Sequence, residues 1–337
     1  MRSSPKSRAM NADRAVRLSV CVPVYGVERF IGDCARSLFS QSLWDGVEFL
    51  FVDDASPDGS IDVLGRVLAE YPGRTRQVRI LRHPANRGLA AARRTAIDAA
   101  RGEWLLHVDS DDLLLPVALA RLLARAEEVP AADLIFGSYF ASDDPADEAV
   151  RRYGVRAPRM ERLRLLRTLV SQSHRVANRT WGVLIRRTLC TERGIYPVEG
   201  IDFAEDYAVM PRLVHAAREV AAADGPVYGY RLANAGSYMK RLDARAADQY
   251  VAANRVVTDY LKGQPDYDLV RDSAMLGRLN IAKWILKRGL RPEEWDRRLF
   301  YDGDRPTRLL HRIYAAALEC EIPLLARAAG VAANLAR

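Results

Sequence analysis

The chain predicts an α/β protein on a mostly parallel sheet flanked by helices, followed by a helical C-terminal appendage. Three observations carry that reading. Four short apolar runs at 18–24, 47–52, 78–81 and 104–108 are rich in β-branched and aromatic residues. They begin about thirty residues apart, the length of one strand–helix–strand unit. Each gap holds a helix-like segment, and strands that are apolar on both faces belong in a buried parallel sheet.

In order, the first strand is followed by a helix over 27–40. After the second, Asp58-Gly59-Ser60 supplies turn and cap for a helix over 61–70. An alanine-rich helix spans 89–100 and is closed by Gly102 before the fourth strand. A helix over 116–129 and a strand over 134–138 come next, then a polar, charge-mixed surface excursion over 141–158. Beyond it, 163–171 reads as helix, 180–186 as a short apolar piece, 205–217 as helix and 227–231 as a final strand. From Leu242 the text is helical, with a stripe at Met275, Leu279, Ala282 and Leu286. Pro292, Pro306 and Pro323 cut it into short helices. The division expected is a flexible basic tail over 1–16, a catalytic-type α/β domain over 17–240 and a basic helical region over 241–337.

With 49% hydrophobic and 28% charged residues in 337, the composition is that of a globular chain. No stretch approaches the roughly 18 apolar residues of a membrane span, and the N-terminal segment has no apolar core. Cys21, Cys34, Cys190 and Cys320 form no C-x-x-C and read as buried small residues in a reducing compartment. The expected location is therefore cytoplasmic, with peripheral contact on the inner membrane face. Residues 271–337 hold thirteen Lys and Arg against eight Asp and Glu. That surplus suits an anionic partner or a solvated helical surface alike.

The chemistry concentrates where the fourth strand ends, in Val108-Asp109-Ser110-Asp111-Asp112. Clustered carboxylates raise one another's pKa, and a divalent cation removes the conflict. Oxygen ligands without a His or Cys pattern fit Mg²⁺ or Mn²⁺, which share their shell with phosphate oxygens. An isolated D-x-D reads equally as a solvated acidic turn capping the next helix. Here, however, right-handed crossovers bring Tyr25, Asp53, Asp54, Asp109, Asp111 and Asp112 to one sheet edge, where open α/β sheets bind ligands.

Four pieces in register carry a resemblance. Ser19 to Tyr25, Phe51-Val52-Asp53-Asp54-Ala55-Ser56-Pro57-Asp58-Gly59-Ser60, Asn86-Arg87-Gly88 to Arg93, and Gly102 to Asp112 resemble glycosyltransferase family 2, of GT-A fold, over about residues 17–240. The resemblance implies that Pro23 and Tyr25 border a nucleotide base, that Asp54 accepts from the base, and that Asp53 positions that loop. It places Arg87 and Arg93 on the base or diphosphate wall, Asp109 at the ribose and metal, Asp111 on the metal and Asp112 in support. Ala55 stands where many relatives have glycine, which suggests a loop with no need of positive φ. Asp206 is implied as the catalytic base with Glu205 beside it, although both also suit a helix N-terminus. Trp181 and His174 fall in an acceptor-side segment of capsule- and lipopolysaccharide-type members. Tyr228, Tyr230, Arg231 and Ser237 resemble a loop closing over the diphosphate, with Arg231 as its charge partner.

The implied reaction is metal-dependent, inverting transfer of one sugar from a nucleotide sugar, a UDP-sugar before others, to a glycan or lipid-linked glycan hydroxyl. There is no Q-x-x-R-W, no G-x-x-x-x-G-K-[ST] and no G-x-G-x-x-G, which sets aside processive synthases, P-loop ATPases and dinucleotide enzymes. A sugar nucleotidyltransferase needs a basic phosphate loop after the first strand, and residues 24–28 lack one. A non-catalytic membrane or nucleic-acid binding module is the rival from another class; the clustered carboxylates argue against it, because an inactive scaffold has no physical need of them.

Overall fold

The computed structural model describes residues 15–145, 151–173, 176–234, 243–290, 306–320 and 323–335. The elements run β1 (Leu18–Val24), α1 (Ile31–Phe39), β2 (Val47–Asp53), α2 (Ser60–Glu70), β3 (Val78–Arg82), α3 (Leu89–Ala99), β4 (Trp104–His107), β5 (Leu113–Leu114) and α4 (Ala118–Glu128). They continue with β6 (Ala132–Ser142), β7 (Arg151–Val155), α5 (Arg162–Val170), β8 (Val183–Arg186), α6 (Thr188–Thr191), α7 (Glu205–Ala216) and β9 (Glu219–Arg231). The C-terminal helices are α8 (Ala244–Lys262), α9 (Arg271–Lys287), α10 (Leu309–Glu319) and α11 (Pro323–Leu335).

One nine-stranded sheet forms among the described residues, in the order β3-β2-β1-β4-β8-β6-β9-β5, with β7 on β6. The strands β1 to β4 pair in parallel, as the crossover spacing requires. Past β4 the pairing is mixed: β8 runs antiparallel to both β4 and β6, while β6 and β9 are parallel. Two expectations change here. The excursion over 141–158 contains β7, an edge strand whose alternation is too polar to read as buried. The last strand begins at Glu219 rather than 227, because its first half is drawn in by pairing with β6 and not by its own apolar content.

The pleat sorts each strand between two cores. Cys21, Leu50, Val52 and Leu105 face α3, α5, α7, α8 and α9. Val20, Val22, Phe49, Phe51 and Leu106 face α1, α2 and α4. The first core shows that residue 240 does not separate two hydrophobic interiors. Tyr250, Val257, Ile281 and Ile285 pack with Leu166 and Leu213 in it. The predicted stripe on α9 instead holds a satellite cluster, with Met275, Leu279 and Ala282 against Tyr314 of α10 and Ala329 of α11. No helix among the described residues is long and apolar enough to cross a membrane. Cys21, Cys34 and Cys190 are buried as expected, whereas Cys320 is exposed at the end of α10.

Gly277 fixes how α9 crosses α5. A Cβ there would stand 2.1 Å from the Val170 carbonyl oxygen at the end of α5. Alanine favours an α-helix over glycine by about 1 kcal/mol. Overpacking against backbone costs about 1–3 kcal/mol, so the steric effect wins. Gly277→Ala is expected to lower unfolding stability by about 1–2 kcal/mol, read as a fall in the urea midpoint at constant slope.

Candidate active site

The acidic turn after β4 is clamped from both sides. Val108 N donates to the Cys21 carbonyl and Asp112 N to the Asp109 carbonyl, each at 3.0 Å. The two residues of β5 then pair with β9, Leu113 opposite Gly229 and Leu114 opposite Tyr228. From β9, Tyr228 Oη accepts from Asp109 N (3.0 Å) and donates to Asp112 Oδ2 (2.8 Å). Arg231 donates from its backbone N to Asp112 Oδ1 (2.7 Å) and from Nε to the Asp111 carbonyl (2.9 Å). Arg231, expected as the charge partner in a loop closing over the diphosphate, thus lies buried beneath the turn, over the Phe30 ring, and does not line the cleft. Its guanidinium is already spent on backbone and on Asp144 and Asp33. Ser237 and His174 lie outside the described residues.

A second acid pair opens α7. Asp206 Oδ1 accepts from Thr180 N (2.7 Å) and Thr180 Oγ1 (2.6 Å), which leaves Oδ2 uncommitted. Glu205 is buried behind it and accepts from Asp206 N. Between the two acid pairs runs Arg93 of α3, 1% exposed. Its Nη2 lies 2.9 Å from Asp109 Oδ1 and 3.0 Å from Glu205 Oε1. The fold makes Arg93 the buried cation joining the two motifs.

Asp54 lines the cleft beside Tyr25 and is densely hydrogen-bonded. Its Oδ1 pairs with His83 Nδ1 (2.6 Å) and accepts from Arg87 N (2.9 Å). Its Oδ2 accepts from Asn86 Nδ2 (3.1 Å) and Gly88 N (2.8 Å). Four partners meet at the carboxylate and shape the loop 86–88 that starts α3. Gly88 takes φ 92° there, beside the Asp202 carboxylate that accepts from Ala90 N (3.1 Å). Asp53 accepts from Ser56 N (2.9 Å) and holds its loop as expected. Arg87 pairs with Glu199 at the surface (2.9 Å) and does not reach the cleft wall. Ala55 corrects a further expectation: it adopts φ 55°, a left-handed conformation that costs a non-glycine residue roughly 1–2 kcal/mol.

A cleft of about 470 Å³ brings together Pro23, Tyr25, Arg93, Asp109, Asp111, Glu205 and Asp206. Tyr25 is half exposed at its mouth, free to offer a ring face. Trp181 touches the cleft but is a core residue, 8% exposed and stacked on Tyr228 and Tyr230 at centroid distances of 4.6 and 5.3 Å. The far wall comes from the C-terminal helices through Tyr250 and Trp284. Sequence reading missed Thr180, Asp202, His83 and Asn234. Only Asp202 carried a signal, as the start of an acidic run ending in Glu205-Asp206.

Negative charge dominates this cleft. Burial pushes Asp109 up to about 6, with Arg93 opposing and Asp111 and Asp206 adding. Burial and the charges of Asp111 and Asp109 hold Asp112 well above the usual carboxylate range, and burial with Asp206 does the same to Glu205. Burial with the nearby Arg93 charge keeps His107 neutral. A bound divalent cation would relieve the repulsion that Arg93 leaves uncompensated. Asp109 gives one oxygen to Arg93, and Asp111 gives one to Asn234 Nδ2 (2.7 Å), leaving one oxygen on each. Among the described residues no three ligating side chains form a closed cage. Two carboxylates fit a divalent cation such as Mg²⁺ or Mn²⁺, which keeps waters and takes phosphate oxygens.

A twisted sheet with two acid pairs facing one cleft beyond its strand ends defines a GT-A-type protein. The sequence pattern described as Glycosyl transferase family 2 matches residues 19–188, half of the chain. The chain belongs to glycosyltransferase family 2. It is 34% identical over 221 residues to the uncharacterized glycosyltransferase EpsJ of Bacillus subtilis, a match covering 64% of this chain and 60% of EpsJ. Among solved structures it resembles S. aureus TarS 1-349 in complex with UDP, with a TM-score of 0.64 at 15% identity, over 95% of this chain and 92% of that one. It also resembles the mannosyltransferase PcManGT of Pyrobaculum calidifontis, in complex with GDP-Man and Mn²⁺. There the TM-score is 0.55 at 20% identity, over 97% and 86% of the two chains. At those identities the two structures show the shared fold.

Removing one partner of a buried ion pair typically costs about 3–5 kcal/mol. Arg93→Met is therefore expected to lose that much stability in chemical denaturation at neutral pH, and less at acid pH where Asp109 and Glu205 take up protons.

Proposed function

We propose that the chain is a metal-dependent, inverting glycosyltransferase that moves one sugar from a nucleotide sugar to a hydroxyl of a glycan or lipid-linked glycan. The observation that carries this reading is the single cleft in which Asp109 and Asp111 face Asp206 across Arg93. Family membership supports the transferase class. A UDP-sugar is the favoured donor, since the TarS structure of TM-score 0.64 holds UDP, though the PcManGT complex shows GDP-Man on the same fold.

In this reading Tyr25 stacks on the base and Pro23 borders it. Asp109 and Asp111 would hold Mn²⁺ or Mg²⁺, which when bound neutralises charge on the leaving diphosphate. Asp206 acts through Oδ2, because Thr180 pins Oδ1. That oxygen takes the acceptor hydroxyl's proton as the acceptor oxygen bonds the anomeric carbon and the carbon–oxygen bond to the diphosphate breaks on the opposite face. Glu205 and Arg93 position the base and the metal-side carboxylate; neither needs to touch substrate. Asp112, Tyr228 and Arg231 keep the acidic turn in shape.

The test is a thermal-shift panel of nucleoside diphosphates and nucleotide sugars, with Mn²⁺ or with chelator, paired with an assay of nucleoside diphosphate release in a panel of glycan acceptors. Wild type should show a metal-dependent rise for one nucleotide class. Asp111→Asn should lose that rise. Asp206→Asn should keep it and lose release by about 10²–10⁴-fold. A folded wild type with no shift for any nucleotide would remove the donor site from the proposal. Release within twofold of wild type in Asp206→Asn would remove the base.

A further inference from the structure

The C-terminal pair α10 and α11 presents an outer face that the proposed reaction does not use. Nine large apolar side chains stand exposed on the described molecule, and five of them, Leu309, Ile313, Leu325, Val331 and Leu335, lie on these two helices. Leu309 is 68% exposed and Leu335 69%. On α10 they recur at a four-residue step, and on α11 Leu325, Ala328, Val331 and Leu335 follow three- and four-residue steps, so each helix shows a stripe. The opposite faces are fully used. Tyr314, Ala317 and Ala329 pack on α9, and Tyr314 Oη donates to Asn280 Oδ1 (3.1 Å), which also accepts from Asn334 Nδ2 (3.3 Å). The stripes are therefore held outward by a fixed inner contact.

Charge selects what covers them. Arg312 and Arg327 stand exposed among the apolar residues, and the two helices carry one acidic residue, Glu319. From Arg271 onward the sequence carries thirteen Lys and Arg against eight Asp and Glu. Lys283 lies close enough to Lys287 and Arg327 for their charges, added to burial, to lower its ammonium below the ordinary range. A second copy related by a two-fold axis would bring this cation-bearing face against itself. An apolar stripe rimmed by arginine instead matches an anionic lipid surface, where the face enters the headgroup boundary and each cation gains.

We propose that α10 and α11 form a docking surface for an anionic membrane. The surface lies one helix from the cleft: α9 turns Trp284 to the cleft and Met275, Leu279 and Ala282 to the α10–α11 pair. One helix is about 10 Å thick, so a docked molecule holds its cleft near the headgroup layer. This proposal stands on the outer face and not on the transfer reaction.

The experiment is co-sedimentation of the full chain with vesicles of equal phosphatidylglycerol and phosphatidylcholine, and with phosphatidylcholine alone. Binding is expected to the anionic vesicles only, weakening as salt rises. Arg312→Gln and Arg327→Gln should each weaken it about fivefold. Ile313→Glu combined with Val331→Glu should abolish it; both positions are exposed, and an unchanged melting temperature shows that the fold is intact. Three results would overturn the proposal: no binding to either vesicle, undiminished binding of the double glutamate variant, or a wild-type dimer that the same variant dissociates. Because vesicle binding is read without turnover, each of these leaves the catalytic reading untouched.

Discussion

One guanidinium sets the geometry of the cleft. Arg93 reaches Asp109 after β4 and Glu205 at the start of α7, two segments separated by nearly a hundred residues. It is buried, and a charge in that place is tolerable only while both carboxylates answer it. The helix that carries it is held just as firmly. Asp54, just past β2, and Asp202 from the approach to α7 accept the first backbone N–H groups of α3 and its entry loop. These carboxylates occupy the donors that a helix N-terminus leaves unpaired. The strands at one end of the sheet and the helix that opens the second motif are thereby referenced to the same turn of α3.

Backbone strain follows the same map. Among the described residues three non-glycine positions take positive φ: Ala55 follows Asp53-Asp54, Ala204 precedes Glu205-Asp206, and Gln172 lines the cleft. Such conformations persist where surrounding contacts over-determine them, and they gather at functional sites. At Ala55 the determinants are visible. Asp53 holds Ser56 N on one side, and Asp54 is fixed by its four partners on the other. An alanine there shows that the loop is dictated by its neighbours and not by the residue's own preference.

The sheet was legible where strands are apolar on both faces. Runs such as Leu18–Val24 are buried along their whole length, and periodicity marks them without help from the rest of the fold. The strand Arg151–Val155 was not, because an edge strand needs neither β-branched residues nor alternation, only a neighbour with free backbone groups. The acid pairs could be found from their spacing, but the partners that give each acid its task could not. Asp54 became a loop organiser only once His83, Asn86, Arg87 and Gly88 were brought around it. Arg93 sits in an alanine-rich helix of low amphipathic contrast, where an arginine reads as solvated until the helix is packed. Arg231 and Trp181 show the converse: motif position drew them toward the cleft, and burial assigned them to its foundations.

The cleft is built from two sources. One side consists of strand ends and their turns, with Pro23, Asp109 and Asp111; the other includes Tyr250 and Trp284 from helices more than a hundred residues downstream of the acidic turn. The helical side shares a core with the underside of the sheet, so its rings are seated by Phe203, Ile281 and Ile285 and not by the acidic turn. Inheritance can therefore act on the two sides at different tempos. Exchanges on α8 and α9 redraw the outline that an incoming molecule meets while the carboxylate apparatus stays as it is. No shortened form that keeps only the sheet keeps that outline.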